Sequence, residues 1–268
     1  MKNIHPHFSK IAHRYRDLRT TDLEPIFFIK KKLQKHPKIA AADIGCGAGR
    51  YDLKLFQYLG KKLFLYCCDT NLEMLKQLKE FLKKHKIRNF KTIKTLANKI
   101  SLKNDSLDCI FTFNAIHHFE VSHFLRKSSL ILKNGGYLFI YTRLRSQNCR
   151  NIWGKYFPLF NEKETRLYEL DELKNLLRKT SLLKIKAIEY FKYNRISSLD
   201  WLLEQAQNHH YSTFYLYTKK EFKNSLERFK QNVQLKFKEL NKISWFDENI
   251  LLVVQKEVTQ NGKMQKMR

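Results

Sequence analysis

The chain has 268 residues, with 52 Lys and Arg against 25 Asp and Glu and a formal net charge of +27 at pH 7. This length is enough to bury a full hydrophobic core in one domain. No run reaches the roughly 18 uncharged apolar residues that a membrane span needs, and residues 1–6 contain no apolar stretch typical of a signal peptide. The five cysteines lack the spacing of zinc ligands, so we predict a reduced, cytoplasmic protein without a metal site.

The positive charge has two interpretations. A field of this size attracts polyanions, and binding through phosphates would weaken steeply with salt. Alternatively, the lysines reflect compositional drift of an A- and T-rich coding sequence, because Asn, Ile, Phe and Tyr are abundant as well. The lysines look scattered around the predicted helices, which favours drift, and a nucleic-acid partner stays open as the second interpretation.

Residues 1–38 are predicted to form an N-terminal helical cap. Apolar residues recur there at helical spacing, with arginines between them. The apolar positions are Phe8, Ile11, Tyr15 and Leu18, and the arginines are Arg14, Arg16 and Arg19.

A glycine-rich turn follows the first predicted strand, Ile39 to Ile44. The strand carries Asp43 near its end, and glycines then occupy alternate positions before a predicted helix over residues 51–58. The glycines are Gly45, Gly47 and Gly49. Such a turn lets the backbone approach a ligand closely, and the following helix offers unpaired N–H groups to it. A dinucleotide site requires G-x-G-x-x-G instead, so this spacing argues against NAD-type binding.

A second predicted strand, residues 63–68, leads directly into Asp69. An acidic side chain at this position can accept both hydroxyls of a ribose. The interval from Gly49 to Asp69 is 20 residues, about what a strand–helix–strand unit needs. The next helix is predicted to start after Thr70 or Asn71 as its cap.

These segments, in this order, resemble the class I S-adenosylmethionine-dependent methyltransferases that act on small molecules, of the methyltransferase type 11 kind. The matches are the run from Asp43 to Gly49, Asp69, the stretch Leu96-Ala97-Asn98 and the turn into a fifth strand at residues 132–140. The resemblance implies an α/β fold: a doubly wound, Rossmann-like sheet of seven strands whose last strand is antiparallel. It also implies S-adenosyl-L-methionine as the cofactor.

The resemblance also implies the residues that bind the cofactor. Asp43 and the three glycines would hold its amino-acid end, Asp69 its ribose, and Leu72 and Met74 would lie near the adenine. Many relatives place an acidic residue before Ala97 to receive the adenine amino group, whereas this chain has Leu96. The full predicted set is Asp43, Gly45, Gly47, Gly49, Asp69, Thr70, Leu72, Ala97, Asn98, Asn114, Tyr15 and Arg19.

His117 and His118 follow the predicted fourth strand and are the candidate catalytic residues. Methyl transfer needs a general base only when the nucleophile must lose a proton, and histidine suits that role at neutral pH. The alternative is that both histidines are polar lining or caps of the next helix.

The second half of the chain is predicted to complete the core, residues 39–191, and to add an insert. A loop over residues 143–170 precedes a helix over 170–180 capped by Asp171, then strands over 183–190 and 249–255. Residues 192–248 form a helical insert between strands 6 and 7, including an amphipathic helix from Lys219 to about Leu240. We predict a substrate lid whose aromatic stretch 211–217 faces the pocket, the alternative being a layer that covers the sheet edge. The last core strand ends at residue 256, and residues 257–268 are predicted to be a disordered basic tail.

Three functions remain on this basis. The first is O-, N- or C-methylation of a small, partly apolar molecule. The second is methylation of RNA through the basic surface, and the third is a non-catalytic binding protein that keeps the fold. The turn Asn114-Ala115-Ile116-His117 lacks the prolines typical of adenine and glutamine amino-methylation, and no Pro-Cys pair is present for cytosine C5 chemistry. The sequence leaves the methyl acceptor and the oligomeric state open.

Overall fold

The computed structural model of the chain describes residues 19–258 together with residues 9, 12, 13 and 16. Seven strands form one sheet with the order β3-β2-β1-β4-β5-β7-β6. The strands are β1 (Ile39–Ile44), β2 (Leu63–Asp69), β3 (Phe90–Lys94), β4 (Leu107–Phe113), β5 (Leu132–Thr142), β6 (Leu183–Ser197) and β7 (Ile243–Lys256).

Helices alternate with these strands, as the sequence pattern predicts. In chain order they are α1 (Glu24–Lys32), α2 (Arg50–Leu59), α3 (Leu72–Lys84), α4 (Val121–Ile131), α5 (Arg145–Arg150), α6 (Ile152–Tyr156), α7 (Phe160–Lys163), α8 (Leu170–Arg178), α9 (Leu199–Gln207) and α10 (Lys219–Lys236). Local signals fix several helix starts. Asn71 caps α3 by accepting from the backbone N–H groups of Glu73 and Met74 at 3.0 and 3.1 Å, and Thr218 caps α10 in a capping box with Glu221.

Strands β1 to β5 run parallel to one another, with registers such as Asp43 opposite Cys67 and Ala41 opposite Cys109. The last strand is antiparallel. Its final residues lie beside the start of β5, since the Gln255 amide donates to the Gly135 carbonyl at 2.9 Å and the Lys256 ammonium to the Leu132 carbonyl at 2.7 Å. The predicted seven-stranded, doubly wound sheet with an antiparallel last strand is therefore confirmed.

The strand order reverses direction between β1 and β4, because β2 and β3 lie on one side of β1 and the later strands on the other. In open α/β sheets ligands bind outside the carboxyl ends of the strands at this switch point. The glycine-rich turn after β1 and Asn114 after β4 flank it.

The chain divides into two compact units. Unit 1 contains residues 1–20, 143–169 and 190–250, and unit 2 contains residues 21–142, 170–189 and 251–268. The sequence assigned residues 39–191 to a single core; in the structure residues 143–169 pack with the insert instead. The reason is a shared apolar cluster in unit 1, in which Trp153, Phe157 and Phe160 pack with Leu202, Phe214 and Phe229.

Several predicted boundaries are corrected. Strands β6 and β7 are longer than the predicted 183–190 and 249–255, and they shorten the predicted insert to residues 198–242. Burial alternates along residues 190–197 in the structure, whereas the sequence there shows no matching alternation of apolar and polar residues. Helix α8 begins at Leu170, so Asp171 lies in its first turn and is not its cap. The region predicted as a loop, 143–170, contains three short helices, α5 to α7.

None of the helices within the described ranges combines the length and the apolar character that crossing a membrane requires. Tyr15 and residues 259–268 lie outside the described residues, so the prediction for Tyr15 and most of the predicted tail are not addressed by the structure.

Candidate active site

The predicted ribose ligand, Asp69, ends β2 and is held by two backbone groups. The Gly47 N–H donates to its Oδ2 atom at 2.9 Å, and the Asn71 N–H donates to its Oδ1 atom at 2.8 Å. The carboxylate therefore connects the glycine-rich turn to the start of α3. Each carboxylate oxygen can accept a further hydrogen bond, so Asp69 is oriented in advance and keeps acceptor capacity for a ligand.

The glycine-rich turn needs its glycines for two physical reasons. Gly45 has φ +77°, and a Cβ there would lie 2.5 Å from the Ala115 Cβ, so the turn after β1 approaches the segment after β4 too closely for a side chain. Gly49 has φ +83°, and a Cβ would lie 2.9 Å from the Leu78 Cγ in α3. Both positions also have backbone conformations that favour glycine. Gly47 lies between them with φ +56°.

Asp43 is buried near the end of β1, and its Oδ1 atom has no hydrogen-bond partner within the described residues. Burial raises the pKa of this carboxyl well above its usual range, and the neighbouring Asp52 and Asp69 raise it further. An unpartnered buried acceptor is costly. A ligand that brings a donor, such as an amine, would satisfy it.

Asp52, in the first turn of α2, is a member of this acidic group that the sequence reading did not include. Its side chain is 0% exposed; Oδ1 accepts from the Cys67 thiol at 3.2 Å, and Oδ2 has no partner in the described part of the chain. Burial raises its pKa to about 7, although the bonds from Cys67 and from its own backbone lower it. The missed signal was its place on the buried stripe that includes Leu55 and Leu59.

The helix after Asp69 places its two predicted adenine neighbours differently. Met74 is buried among the core residues, whereas Leu72 is 50% exposed. Thr70 precedes Asn71, which is the residue that caps α3. The placement of Leu72 and Met74 near the adenine stays a prediction.

The loop after β3 lies beside the loop after β2, because the Thr95 N–H donates to the Asp69 carbonyl at 3.0 Å. Leu96 is 46% exposed and Ala97 is half-buried. The Asn98 amide nitrogen donates to the Glu120 carboxylate at 2.7 Å. That bond orients the Asn98 amide, whose side-chain oxygen can accept a hydrogen bond from a ligand.

Asn114 and the two histidines follow β4. Asn114 has a positive φ of 53°, which asparagine tolerates better than most residues, and its N–H donates to the Tyr141 carbonyl at 2.7 Å. His117 is half-buried and His118 exposed in a single 3₁₀ turn, Ile116–His118, with ring centroids 4.0 Å apart. Both lie at the carboxyl edge of the sheet, where the sequence placed them.

Three aromatic side chains pack together beside the glycine-rich turn. Tyr51, directly after Arg50, stacks on Phe113 at the end of β4 with centroids 4.2 Å apart. Tyr141 contacts Tyr51 edge-on, and its hydroxyl donates to the Asp22 carboxylate at 2.8 Å. These contacts hold residues 21–22 of unit 2 to the ends of β4 and β5.

In unit 1, the Arg19 guanidinium lies over the Tyr211 ring, 4.3 Å from its centroid, and the Arg143 guanidinium donates to the Tyr211 hydroxyl at 3.2 Å. His210 is buried beside Tyr211, and burial, aided by Arg19, lowers its pKa well below the usual value. Phe214 and Tyr217 are buried in the unit's own core. The expectation that the whole stretch 211–217 faces a pocket is therefore wrong for these two residues.

No group of His, Cys, Asp and Glu side chains within the described ranges has an arrangement that could hold a metal ion. Of the five cysteines, Cys149 is exposed and the other four are buried. The acceptor oxygens of Asp43 and Asp69 beside the glycine-rich turn suit an organic ligand with amine and hydroxyl donors.

Residues 42–140 match the family model of the methyltransferase domain. The matched segment begins beside Asp43 and ends within β5, so it spans the glycine-rich turn, Asp69, Asn98 and both histidines. The strand order and this match agree. Residues 42–140 are therefore similar to a methyltransferase domain.

Solved structures share this fold. A putative methyltransferase from an antibiotic biosynthesis pathway of Anabaena variabilis is 20% identical, with a TM-score of 0.64, over 88% of this chain and 98% of that one. An S-adenosylmethionine-dependent methyltransferase from Aquifex aeolicus is 22% identical, with a TM-score of 0.54, over 74% and 93%. The [4+2]-cyclase SpnF is 12% identical, with a TM-score of 0.57, over 87% and 80%. No curated protein matches in sequence, and identities this low show a common fold only.

Proposed function

We propose that the protein is an S-adenosylmethionine-dependent methyltransferase that acts on a small, partly apolar molecule. The observation that carries the proposal is the carboxylate of Asp69, which the Gly47 and Asn71 N–H groups orient at the switch point of the sheet. The unpartnered Oδ1 atom of Asp43, buried close by, supports it.

The residues present fit the cofactor. Asp69 offers acceptors to ribose hydroxyls, and Asp43 with the glycine-rich turn suits the amino-acid end. When bound, S-adenosylmethionine supplies an electrophilic methyl group on a sulfonium sulfur, so the protein's task is to align and desolvate the acceptor.

For the adenine we assign two exposed leucines and one amide. Leu72 begins α3 and Leu96 follows β3. The two segments are joined by the hydrogen bond from the Thr95 N–H to the Asp69 carbonyl. Apolar side chains can cover the faces of a purine ring. The Asn98 oxygen, oriented by Glu120, is the acceptor we assign to the adenine amino group in place of the acidic residue found in many relatives.

For the acceptor we assign His117 or His118 as the general base where the reaction removes a proton, with Asn114 as a hydrogen-bonding residue. Residues 198–242 keep the role of a substrate lid in this proposal. Phe214 and Tyr217 are core residues, whereas Tyr211 and Tyr215 are the half-buried aromatic side chains of the stretch. The interpretation of Arg19 as a cofactor-binding residue stays a prediction.

RNA methylation is the second candidate, and the net charge of +27 favours it. The existence of a [4+2]-cyclase with this fold is the reason to test methyl transfer directly, since the fold also accommodates other activities.

A label-transfer experiment tests the proposal. The full chain is incubated with methyl-labelled S-adenosylmethionine and cell extract, with and without nuclease treatment, and Asp69→Ala serves as the control for background. Label in a solvent-extractable molecule that nuclease does not affect would support the small-molecule acceptor. Nuclease-sensitive label would establish the RNA candidate instead, and binding of S-adenosylhomocysteine without any label transfer would contradict the assignment as an enzyme.

A further inference from the structure

One face of the β6–β7 hairpin in unit 1 is exposed and carries two aromatic rings and a lysine. Lys192 lies over the Phe246 ring at 4.4 Å, and the Ser244 hydroxyl donates to the Asn194 side-chain oxygen at 2.8 Å, so these residues oppose each other across the hairpin. Side chains on a strand alternate between faces. The face defined by these contacts, the hairpin face, consists of Tyr190, Lys192, Asn194, Ile196, Ser244 and Phe246.

Large apolar side chains on this face are open to solvent. Tyr190 is 64% exposed, Ile196 55% and Phe246 50%. Ile196 and Ser244 also line an open groove of about 370 Å³, together with Phe237, Lys238, Glu239 and Lys242. The face and the groove thus form one continuous surface within unit 1.

The charges of the hairpin are distributed unequally between its faces. On the opposite face Asp247 pairs with Arg143 at 3.1 Å and with Arg195 at 3.4 Å. Lys192, Lys238 and Lys242 make no ion pair with any residue in the described part of the chain, and Glu239 is the acidic side chain that lines the groove beside them. The exposed surface therefore carries an uncompensated positive charge.

We propose that the hairpin face and its groove bind single-stranded nucleic acid. Exposed rings on a sheet give bases a surface for stacking, and lysines between them neutralise phosphates. This surface lies outside the cofactor residues and does not depend on methyl transfer.

Two alternative roles for the hairpin face account for fewer of its features. Lysines on an edge strand prevent pairing with another sheet, but that role does not require exposed aromatic rings beside them. A lipid surface would also attract lysines and aromatics, but the polar side chains of Asn194 and Ser244 lie between the rings, where insertion into a membrane favours an unbroken apolar face.

The test measures binding of a fluorescein-labelled 20-nucleotide oligouridine to the full chain by anisotropy, without cofactor, over a range of salt concentrations. The variant Lys192→Gln/Lys242→Gln/Phe246→Ala is compared with Lys83→Gln/Lys84→Gln/Phe27→Ala. The control removes the same charge and one phenylalanine, 46% exposed in α1, from unit 2. We expect the hairpin variant to lose at least about tenfold in affinity. For this variant the slope of log K against log salt should become shallower by about 1.4, because two phosphate contacts are lost and each contributes about 0.7. The control should lose less than about threefold.

Equal losses in both triple variants would overturn the proposal, because they would show that total charge alone drives binding. The proposal would also be overturned if the hairpin variant lost binding to phosphatidylserine vesicles but bound the oligouridine as tightly as wild type does. Tyr190→Ala separates stacking from charge: we expect weaker binding with an unchanged salt slope, and unchanged affinity would contradict stacking at this residue. Denaturant unfolding midpoints of all variants close to that of wild type verify that they are folded, whatever the outcome for methyl transfer.

Discussion

At the scale of single residues, the candidate site is an arrangement of carboxylates around one turn. Asp69 accepts two backbone hydrogen bonds, while Asp43 and Asp52 are buried with an unpartnered oxygen each among the described residues. Buried acids without partners destabilise the folded state. Such an arrangement is typical of sites where a ligand supplies the missing donors.

Asp69→Ala should weaken binding of S-adenosylhomocysteine by about 1–3 kcal/mol, because a charge-assisted acceptor is lost. Titration calorimetry measures this. Asp108→Ala is the matched control: Asp108 also holds a backbone group, the Ala40 N–H at 2.8 Å, but near the start of β4. Equal affinity of wild type and Asp69→Ala would show that the ribose assignment is wrong.

Asp52→Asn should stabilise the protein at pH 8. The pKa of Asp52 is about 7 in the folded state against an ordinary 3.8, so the folded state holds the proton more tightly than the unfolded state. Stability from this group is fully present below pH 3.8 and declines as the pH rises to about 7. Asparagine at this position removes that decline. The raised pKa of Asp43 still makes the free energy of unfolding decrease with rising pH in the variant.

Denaturant unfolding at pH 5 to 8 measures the Asp52 effect. Asp171→Asn, at an exposed position in α8, is the control and should leave the pH profile unchanged. If Asp52→Asn unfolds more readily than wild type at pH 8, the buried carboxylate stabilises the fold and our interpretation of its burial fails.

At the scale of elements, strand and helix ends place the site. The turn after β1, the end of β2 and the loop after β3 meet at one edge because the strands are parallel and in register. The cap of α3 matters here, since Asn71 accepts from two N–H groups of the helix while its own N–H holds Asp69. One residue thus joins the secondary structure to the candidate cofactor site.

Asn71→Ala should lower the free energy of unfolding by about 0.5–2 kcal/mol, the usual loss for a helix cap. Chemical denaturation measures the change, and hydrogen exchange should show faster opening of the first turn of α3. Asn224→Ala, on the exposed side of α10, should stay within about 0.5 kcal/mol of wild type. Equal stabilities of the two variants would contradict the capping role.

At the scale of the whole molecule, the chain forms two compact units, and unit 1 has an apolar core cluster of its own residues. The core of unit 1 draws Trp153 and Phe157 from the segment after β5, and Leu202, Phe214 and Phe229 from the insert. The two segments depend on each other to bury these side chains. Residues 143–169 and 190–250 should therefore unfold together.

Phe214→Ala should destabilise unit 1 by about 3–5 kcal/mol, the range for emptying a buried phenylalanine site. Tyr190→Ala, at an exposed ring, should stay within about 0.5 kcal/mol of wild type. Denaturation followed by tryptophan fluorescence reports on Trp153 in the same cluster. A loss below about 1 kcal/mol would mean that Phe214 is not a core residue, and would restore the original expectation that it faces a ligand.

The sequence alone determined the sheet and the location of the glycine-rich turn, because these depend on local signals. Strand periodicity, the glycines from Gly45 to Gly49, the acidic residue Asp69 and the cap at Asn71 all act within a few residues along the chain. Each one specifies its own turn or strand end. The strand order then followed from the family resemblance.

Only the tertiary structure decided which distant side chains share an environment. The buried state of Asp52 beside Cys67, the packing of residues 143–169 with the insert and the burial of Phe214 all arise from contacts between residues far apart in the chain. So does the exposed, uncompensated face of the β6–β7 hairpin. Periodicity shows that a side chain faces inward or outward, but it does not show what the side chain meets there, since packing partners are chosen by the fold as a whole.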